Sequence, residues 1–185
     1  SVKGGALSVS RGSAQLRGLL ITSASAPSGG ALHLGSSSVR LWAATILNAA
    51  SSSGAALYLE SGVAELSEFD VSGCSASQSG GALFVGSGSL TLSYSTLRAS
   101  YAPRGALLFV EGGYAVVLGS SLSSDAATDE AHAANSAGTT PGGTGRRLQT
   151  SASTQPQGAM IDLVGGWASI TGGTLNSAPS TSGAG

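Results

Sequence analysis

The chain has 185 residues, a formal net charge of −1 and only 9% charged residues, so it offers no basic footprint for nucleic acid. Gly occupies 29 positions and aromatic residues only 5% of the chain, which excludes a thick core of large side chains. The one cysteine, Cys74, excludes an intrachain disulfide and a cysteine-based zinc site, and no apolar run approaches the ~18 residues of a membrane span.

A repeat of about 25 residues runs along the chain. Its motif, Gly-[Gly/Ala]-x-[Leu/Ile]-x-[Val/Leu], occurs six times, with steps of 25, 25, 26, 25 and 53 residues. The copies begin at Gly4, Gly29, Gly54, Gly80, Gly105 and Gly158. The two aliphatic positions of the motif are two residues apart, so they lie on one face of a short strand. A Gly or Ser eight residues after the first Gly predicts the turn that ends this strand.

Two further strands follow in each copy. The second strand alternates in polarity, and one of its inward columns reads Leu16, Leu41, Leu66, Leu92, Val117 and Ile170. The third strand is marked by Ile21, Ile46, Val71, Leu97, Leu122 and Leu175. A column of small residues comes after it, in which Cys74 stands beside Ala49. This position predicts a buried structural thiol rather than a reactive one.

A single copy cannot bury its own apolar positions, because a triangle of about 25 residues has almost no interior. Stacking solves this, since each strand then pairs in parallel with its equivalents above and below, about 4.8 Å away, and the apolar columns become continuous. The repeat therefore predicts an all-β fold, a parallel β-helix (β-solenoid) of about six coils with three short strands in each. In this fold Leu32 and Leu57 are vertical neighbours.

The recurring Gly-Gly-Ala-Leu at residues 4–7, 29–32 and 80–83 resembles the GGAI half of the repeat in the polymorphic outer-membrane protein family. That family lies within the right-handed parallel β-helix, pectin-lyase-like superfamily. Its partner motif, Phe-x-x-Asn, does not recur in this chain. The resemblance implies a right-handed solenoid and an exported, repeat-built surface or adhesion protein.

The copies form one solenoid segment over residues 1–185. The 53-residue step predicts a polar loop inserted at about 126–153, between Asp125 and Gly158. Residues 1–3 and 177–185 resemble parts of further turns, whereas the terminal repeats of solenoids usually carry polar caps. We therefore expect a fragment of a longer solenoid, or ends that are covered by partners.

The outward column four residues after the first Gly is the main candidate interaction face. It contains His33, Tyr58, Phe84 and Phe109 in four consecutive coils. The column predicts an exposed apolar strip in which successive side chains are about 4.8 Å apart. The strip would serve as a partner-binding face or a sugar-stacking surface, or its rings would stabilise one another or be covered by the insertion. As an interaction face, it predicts that changing Tyr58 and Phe84 to Ser weakens association and preserves the fold.

Glu68 and Asp70 are the candidate acidic pair. Two residues apart on one strand, their carboxylates would be about 6 to 7 Å apart, a separation that could serve an acid and a base at a glycosidic bond. Ordinary surface ion pairs are the competing interpretation, with Arg98 beside Asp70 and Arg40 beside Glu65 in adjacent coils.

These observations predict a non-enzymatic structural or adhesive β-helix, extracellular or at the cell surface, with protein partners or neighbouring solenoid segments. The alternative is a carbohydrate-active β-helix, resembling polysaccharide lyases or hydrolases, or a carbohydrate-binding module. No metal and no cofactor are expected, because neither His33 nor His132 has a His or Cys at ligand spacing. Nucleic acid and a membrane span within this segment are not expected either.

Overall fold

The computed structural model describes residues 3–124 and 159–177. These residues form sixteen β-strands and no helix. Coils one to three contain β1 (Leu7–Arg17), β2 (Leu20–Thr22), β3 (Leu32–Leu47), β4 (Ala50–Ser53), β5 (Leu57–Leu59), β6 (Gly62–Ser72) and β7 (Ser75–Ser79). The later coils contain β8 (Leu83–Val85), β9 (Ser89–Ser93), β10 (Thr96–Arg98), β11 (Leu108–Val110), β12 (Tyr114–Leu118), β13 (Ser121–Ser124), β14 (Ile161–Leu163), β15 (Trp167–Thr171) and β16 (Thr174–Ser177).

The strands stack in parallel in the register that the repeat predicts. Leu7 pairs with Leu32 and Leu32 with Leu57, so the predicted vertical neighbours are confirmed. Leu122 of β13 pairs directly with Leu175 of β16, although 53 residues separate them. The loop predicted at 126–153 and the residues that flank it, Asp125 and Gly158, lie outside the described residues.

The solenoid has about five turns of about 25 residues, slightly fewer than the six coils predicted. Three separate short strands occur in coils four and five. In coil three β5 ends at Leu59 and β6 begins at Gly62, whereas in the first two coils β1 and β3 continue through the first corner. They do so because the parallel ladder persists there, with Gly12 paired to Ser37 and Ser37 to Gly62.

The one 26-residue step has a local cause in the corner sheet formed by β4 and β7. Ser51 pairs with Ala76, but Ser53 pairs with Ser79, so the register shifts by one residue between them. A β-bulge of this kind adds a residue to one strand without disturbing the rungs on either side. The inward columns therefore stay aligned above and below it.

The inward columns form one continuous core of small and medium side chains. Leu57, Leu83 and Leu108 in the middle of the stack have no exposed surface. On the last described rung, Ile161 of the same column is only partly buried, and Leu163 and Leu175 of two other inward columns remain 46% and 52% exposed, because no described rung covers them. Burial in this fold depends on having a neighbour on both sides.

Several corner columns have left-handed backbone, and two of them are relevant to the core and the candidate site. The first residue of the repeat motif is one, as at Gly54 (φ +60°), where an added Cβ would lie 2.4 Å from the carbonyl oxygen of Leu57. Only Gly fits that position. The other corner lies between the second and third strands and is occupied by Ala43, Glu68 and Tyr94 in successive coils, with φ of 52°, 54° and 49°. The same column holds Gly18, Gly119 and Gly172, but its residue type varies between coils, and it is not among the corners predicted from the sequence.

Cys74 lies where the small-residue column predicts. Its side chain is fully buried, and the amide of the next residue, Ser75, donates to the carbonyl oxygen of Ala49 in the coil below (2.9 Å). Desolvation raises the pKa of the Cys74 thiol to about 11, so the group is neutral at physiological pH.

Candidate functional site

The four rings of the predicted column form a continuous stack. The ring centroids of His33 and Tyr58 are 5.5 Å apart, those of Tyr58 and Phe84 4.5 Å, and those of Phe84 and Phe109 5.2 Å. The first two pairs are nearly parallel, with interplanar angles of 9° and 5°. We refer to these four side chains as the aromatic ladder.

The prediction that this column is an exposed strip is wrong. His33, Phe84 and Phe109 are only 1%, 6% and 3% exposed, and Tyr58 is partly buried. Each ring lies against the next at one rung spacing, so the faces of the inner rings are hidden by their neighbours. The geometry therefore favours the self-stabilising interpretation of the ladder over a partner-binding or sugar-stacking face.

A charged group lies at the lower end of the ladder. Glu60 accepts a hydrogen bond from the Lys3 ammonium (2.8 Å), and its Oε2 is 3.4 Å from His33 Nε2. That second contact has poor hydrogen-bond geometry, and both ring nitrogens of His33 are buried without a hydrogen-bond partner. Burial, reinforced by the Lys3 charge and partly opposed by Glu60, lowers the pKa of His33, so the imidazole is neutral at pH 7.

The upper end of the ladder is covered by Arg104. Its guanidinium carbon lies 4.8 Å from the centroid of the Phe109 ring, which is a cation–π contact. The same side chain donates from Nε to Asp162 Oδ2 (3.0 Å), and Asp162 is the residue that pairs with Phe109 on the next rung. Ion pairs at both ends thus replace further rings where the aromatic column stops.

The acidic pair is placed differently from the prediction. Glu68 and Asp70 both lie in β6, but Glu68 occupies the left-handed corner, so the two carboxylates do not project from one regular strand. Arg98 pairs in register with Ser72, and among the described residues it forms no ion pair with Asp70. The other predicted ion pair is formed, since Arg40 Nε donates to Glu65 Oε2 at 2.7 Å.

Glu68 instead belongs to a groove on the outside of the first three coils. The groove has a volume of about 520 Å³. Its lining comes from one rung each of β1, β3 and β6, and consists of Gln15, Leu16, Arg17, Trp42, Ala43 and Glu68. The sequence columns place Arg17 beside Trp42, but the contribution of Glu68 depends on the left-handed corner that is not among those predicted from the sequence.

A second surface feature lies on the outward face of β12 and β15. Tyr114 and Trp167 pair in register, with their rings in an edge contact of 6.4 Å, and they remain 60% and 53% exposed. Leu118 lies on the same outward face of β12 and is also exposed. Sequence reasoning missed this outer patch. The signal was the alternation of these outward residues with the buried Ala115 and Val117.

No family model, no curated protein and no solved structure matches the chain. Within residues 3–124 and 159–177, no group of three or more His, Cys, Asp and Glu side chains could hold a metal ion. Across the same residues no helix is long and apolar enough to cross a membrane. His132, the second histidine of the chain, lies outside the described residues.

Proposed function

We propose that the chain is a non-enzymatic structural or adhesive solenoid that acts as a rigid scaffold for protein–protein contact. The outer patch of Tyr114, Leu118 and Trp167 carries this proposal. Other large apolar side chains are also exposed, but here three of them share the outward face of two paired strands, and such a cluster on a surface often marks a contact. Tyr and Trp are also enriched among the residues that dominate the energetics of protein interfaces.

A second copy of the chain is the occupant that we propose for this patch, since another solenoid segment offers an equally flat sheet. Sedimentation equilibrium over a range of protein concentrations tests it. The wild type is expected to associate reversibly, and the double variant Tyr114→Ser/Trp167→Ser to remain monomeric with an unchanged circular dichroism spectrum. Leu20→Ser is the matched control, because Leu20 is also exposed but lies in β2 on the first coil, far along the stack from the outer patch. A wild type that is monomeric throughout would contradict self-association.

The family to which the solenoid belongs is part of the same proposal. The Gly-Gly-Ala-Leu repeats support membership of the right-handed, pectin-lyase-like β-helices that resemble the polymorphic outer-membrane protein family. This membership would place the protein outside the cell or at its surface. Fractionation of the source cells, followed by detection with an antibody raised against this segment, tests the location.

A polysaccharide lyase or hydrolase is the competing function. Glu68 lines the groove, but Asp70 does not, so an acid and a base do not face each other there in the way that glycoside hydrolysis requires. Incubation with pectic and other polysaccharides discriminates the two functions. New reducing ends, or an unsaturated product absorbing in the ultraviolet, would establish an enzyme and overturn the scaffold proposal.

A further inference from the structure

We infer that the groove lined by Trp42, Arg17 and Glu68 is a binding site for a neutral sugar residue of a glycan. This inference goes beyond the scaffold role and does not depend on it. The groove lies on coils one to three, whereas the outer patch lies on coils five and six. Loss of either function therefore leaves the other measurable.

The groove has the dimensions of a ligand site. Its volume of about 520 Å³ lies within the range of roughly 300–1,000 Å³ that is typical of small-molecule pockets. It crosses three rungs, so its walls are fixed by the parallel ladders of β1, β3 and β6 rather than by a mobile loop. A site built on paired strands holds its side chains in place before a ligand arrives.

The polar side chains in the groove are free to bind. Among the described residues, Gln15, Arg17 and Glu68 make no hydrogen bond and no ion pair. Nearby charges on the same outward face behave differently, since Arg40 and Glu65 are joined at 2.7 Å. The groove therefore brings three unused polar side chains together beside Trp42.

The chemistry of the lining fits a sugar. Trp42 offers an apolar indole surface that remains 38% exposed, and such a surface packs well against the C–H face of a pyranose ring. The Arg17 guanidinium donates in a fork that matches adjacent hydroxyl groups, while the Glu68 carboxylate accepts from hydroxyls and the Gln15 amide does both. One cation and one anion balance each other, which favours a neutral sugar over a uronate.

Tryptophan fluorescence tests the inference directly. The chain has two Trp residues, so Trp167→Phe leaves Trp42 as the sole reporter. This protein is titrated with cellohexaose, maltohexaose, laminarihexaose and, as an acidic comparison, hexagalacturonate. At least one neutral oligosaccharide is expected to change the Trp42 emission in a saturable way. Arg17→Met and Glu68→Gln in the same background are each expected to weaken that binding about tenfold, the effect of losing a hydrogen bond to a charged group.

Two matched controls separate this site from the rest of the surface. Arg40→Met removes a guanidinium one rung away that is already paired with Glu65, and Tyr114→Ser alters the outer patch; both should bind as the parent does. Circular dichroism confirms that each variant is folded. The inference is overturned if no neutral oligosaccharide gives a saturable change, if only hexagalacturonate does, or if Arg17→Met binds as tightly as its parent.

Discussion

The left-handed corner at the start of each coil makes a residue-level prediction. At Gly54 an added Cβ would meet the Leu57 carbonyl oxygen at 2.4 Å and Phe84 Cβ at 2.9 Å, whereas at Gly18, with a similar φ of +65°, it would meet nothing within 4 Å. Gly18→Ala should therefore lower the free energy of unfolding by only about 1–2 kcal/mol, the penalty for placing an alanine in left-handed backbone. Gly54→Ala should cost a further ~1–3 kcal/mol because the core must shift.

Urea unfolding followed by circular dichroism measures both variants against the wild type. The informative quantity is the difference between the two alanine variants, since the backbone contribution cancels. Equal free energies of unfolding for Gly18→Ala and Gly54→Ala would show that the close approach to Leu57 and Phe84 is relieved without cost.

His33 makes the stability of the protein depend on pH. Its folded pKa is lowered below the ordinary value of 6.5, so the unfolded chain binds a proton more readily than the folded one. Stability is therefore full above pH 6.5 and is lost as the pH falls from there toward the folded pKa of His33. The charged groups that face the ring are Lys3 and Glu60. The pKa of Glu60 is lowered from 4.5, chiefly by its hydrogen bond from Lys3, so its own titration falls below this window.

The variant His33→Phe extends the ladder with an apolar ring and removes this titration. Melting temperatures measured from about pH 8 to pH 5 should fall for the wild type and change less for His33→Phe. His132 is present in both proteins, so its contribution cancels in the comparison. Parallel pH profiles for the two proteins would count against a neutral, buried His33.

At the scale of the strand stack, the aromatic ladder is expected to stabilise the fold rather than mediate association. Phe84 is buried between two rings, so Phe84→Ala should lower the free energy of unfolding by about 3–5 kcal/mol. A double-mutant cycle on Tyr58 and Phe84 should give a coupling energy of about 0.5–1.5 kcal/mol from ring stacking. The same cycle on Tyr114 and Trp167, which touch edge to face at 6.4 Å on the surface, is the control and should give less.

A large loss of stability in these variants would contradict the sequence-based prediction that changing Tyr58 and Phe84 to Ser preserves the fold. Unfolding monitored by urea titration decides between the two. Variants that keep wild-type stability but lose self-association would restore the ladder as an interaction face. Variants that unfold at lower urea concentrations than the wild type, but self-associate as strongly when folded, would show that the aromatic ladder has a structural role.

The repeat predicts the strands well because their pattern follows directly from chain geometry. Each inward column, from Leu7 to Ile161 and from Ile21 to Leu175, is found in the predicted register. What the pattern misses are features set by neighbouring coils. Whether a ring such as Phe84 is exposed depends on the side chains stacked above and below it. These contacts come from positions about 25 residues away and have no period-2 signature.

The candidate site was less predictable than the fold for a related reason. The sequence offers Glu68 as a partner of Asp70 on its own strand, which places its neighbours along that strand. The left-handed corner turns it toward Arg17 and Trp42 on the rungs below, where the groove forms. Gly occupies this corner at Gly18, Gly119 and Gly172, but the coils between them carry Ala43, Glu68 and Tyr94 there, so the residue type at Glu68 itself does not mark the corner.

At the scale of the whole molecule, stability in a stack of coils is a sum of each coil's own stability and its interfaces with adjacent coils. A central coil has two interfaces and a terminal rung has one. The burial follows this rule, since Leu57 and Leu83 have no exposed surface whereas Leu163 and Leu175, in two other inward columns at the last described rung, are about half exposed. In the 185-residue chain, the last described rung should therefore open more often than the centre.

Hydrogen exchange measured by mass spectrometry tests this gradient. Amides of β5 and β8 are expected to exchange slowest, and those of β14 and β16 at least about tenfold faster, because opening the last rung breaks one interface instead of two. The amides of β5 and β14 compare equivalent strands at the two levels of the stack, so differences in local geometry largely cancel. Self-association through the outer patch should slow exchange in β15 and leave β5 unchanged. Uniform protection along the chain would mean that the stack unfolds as one cooperative unit and not rung by rung.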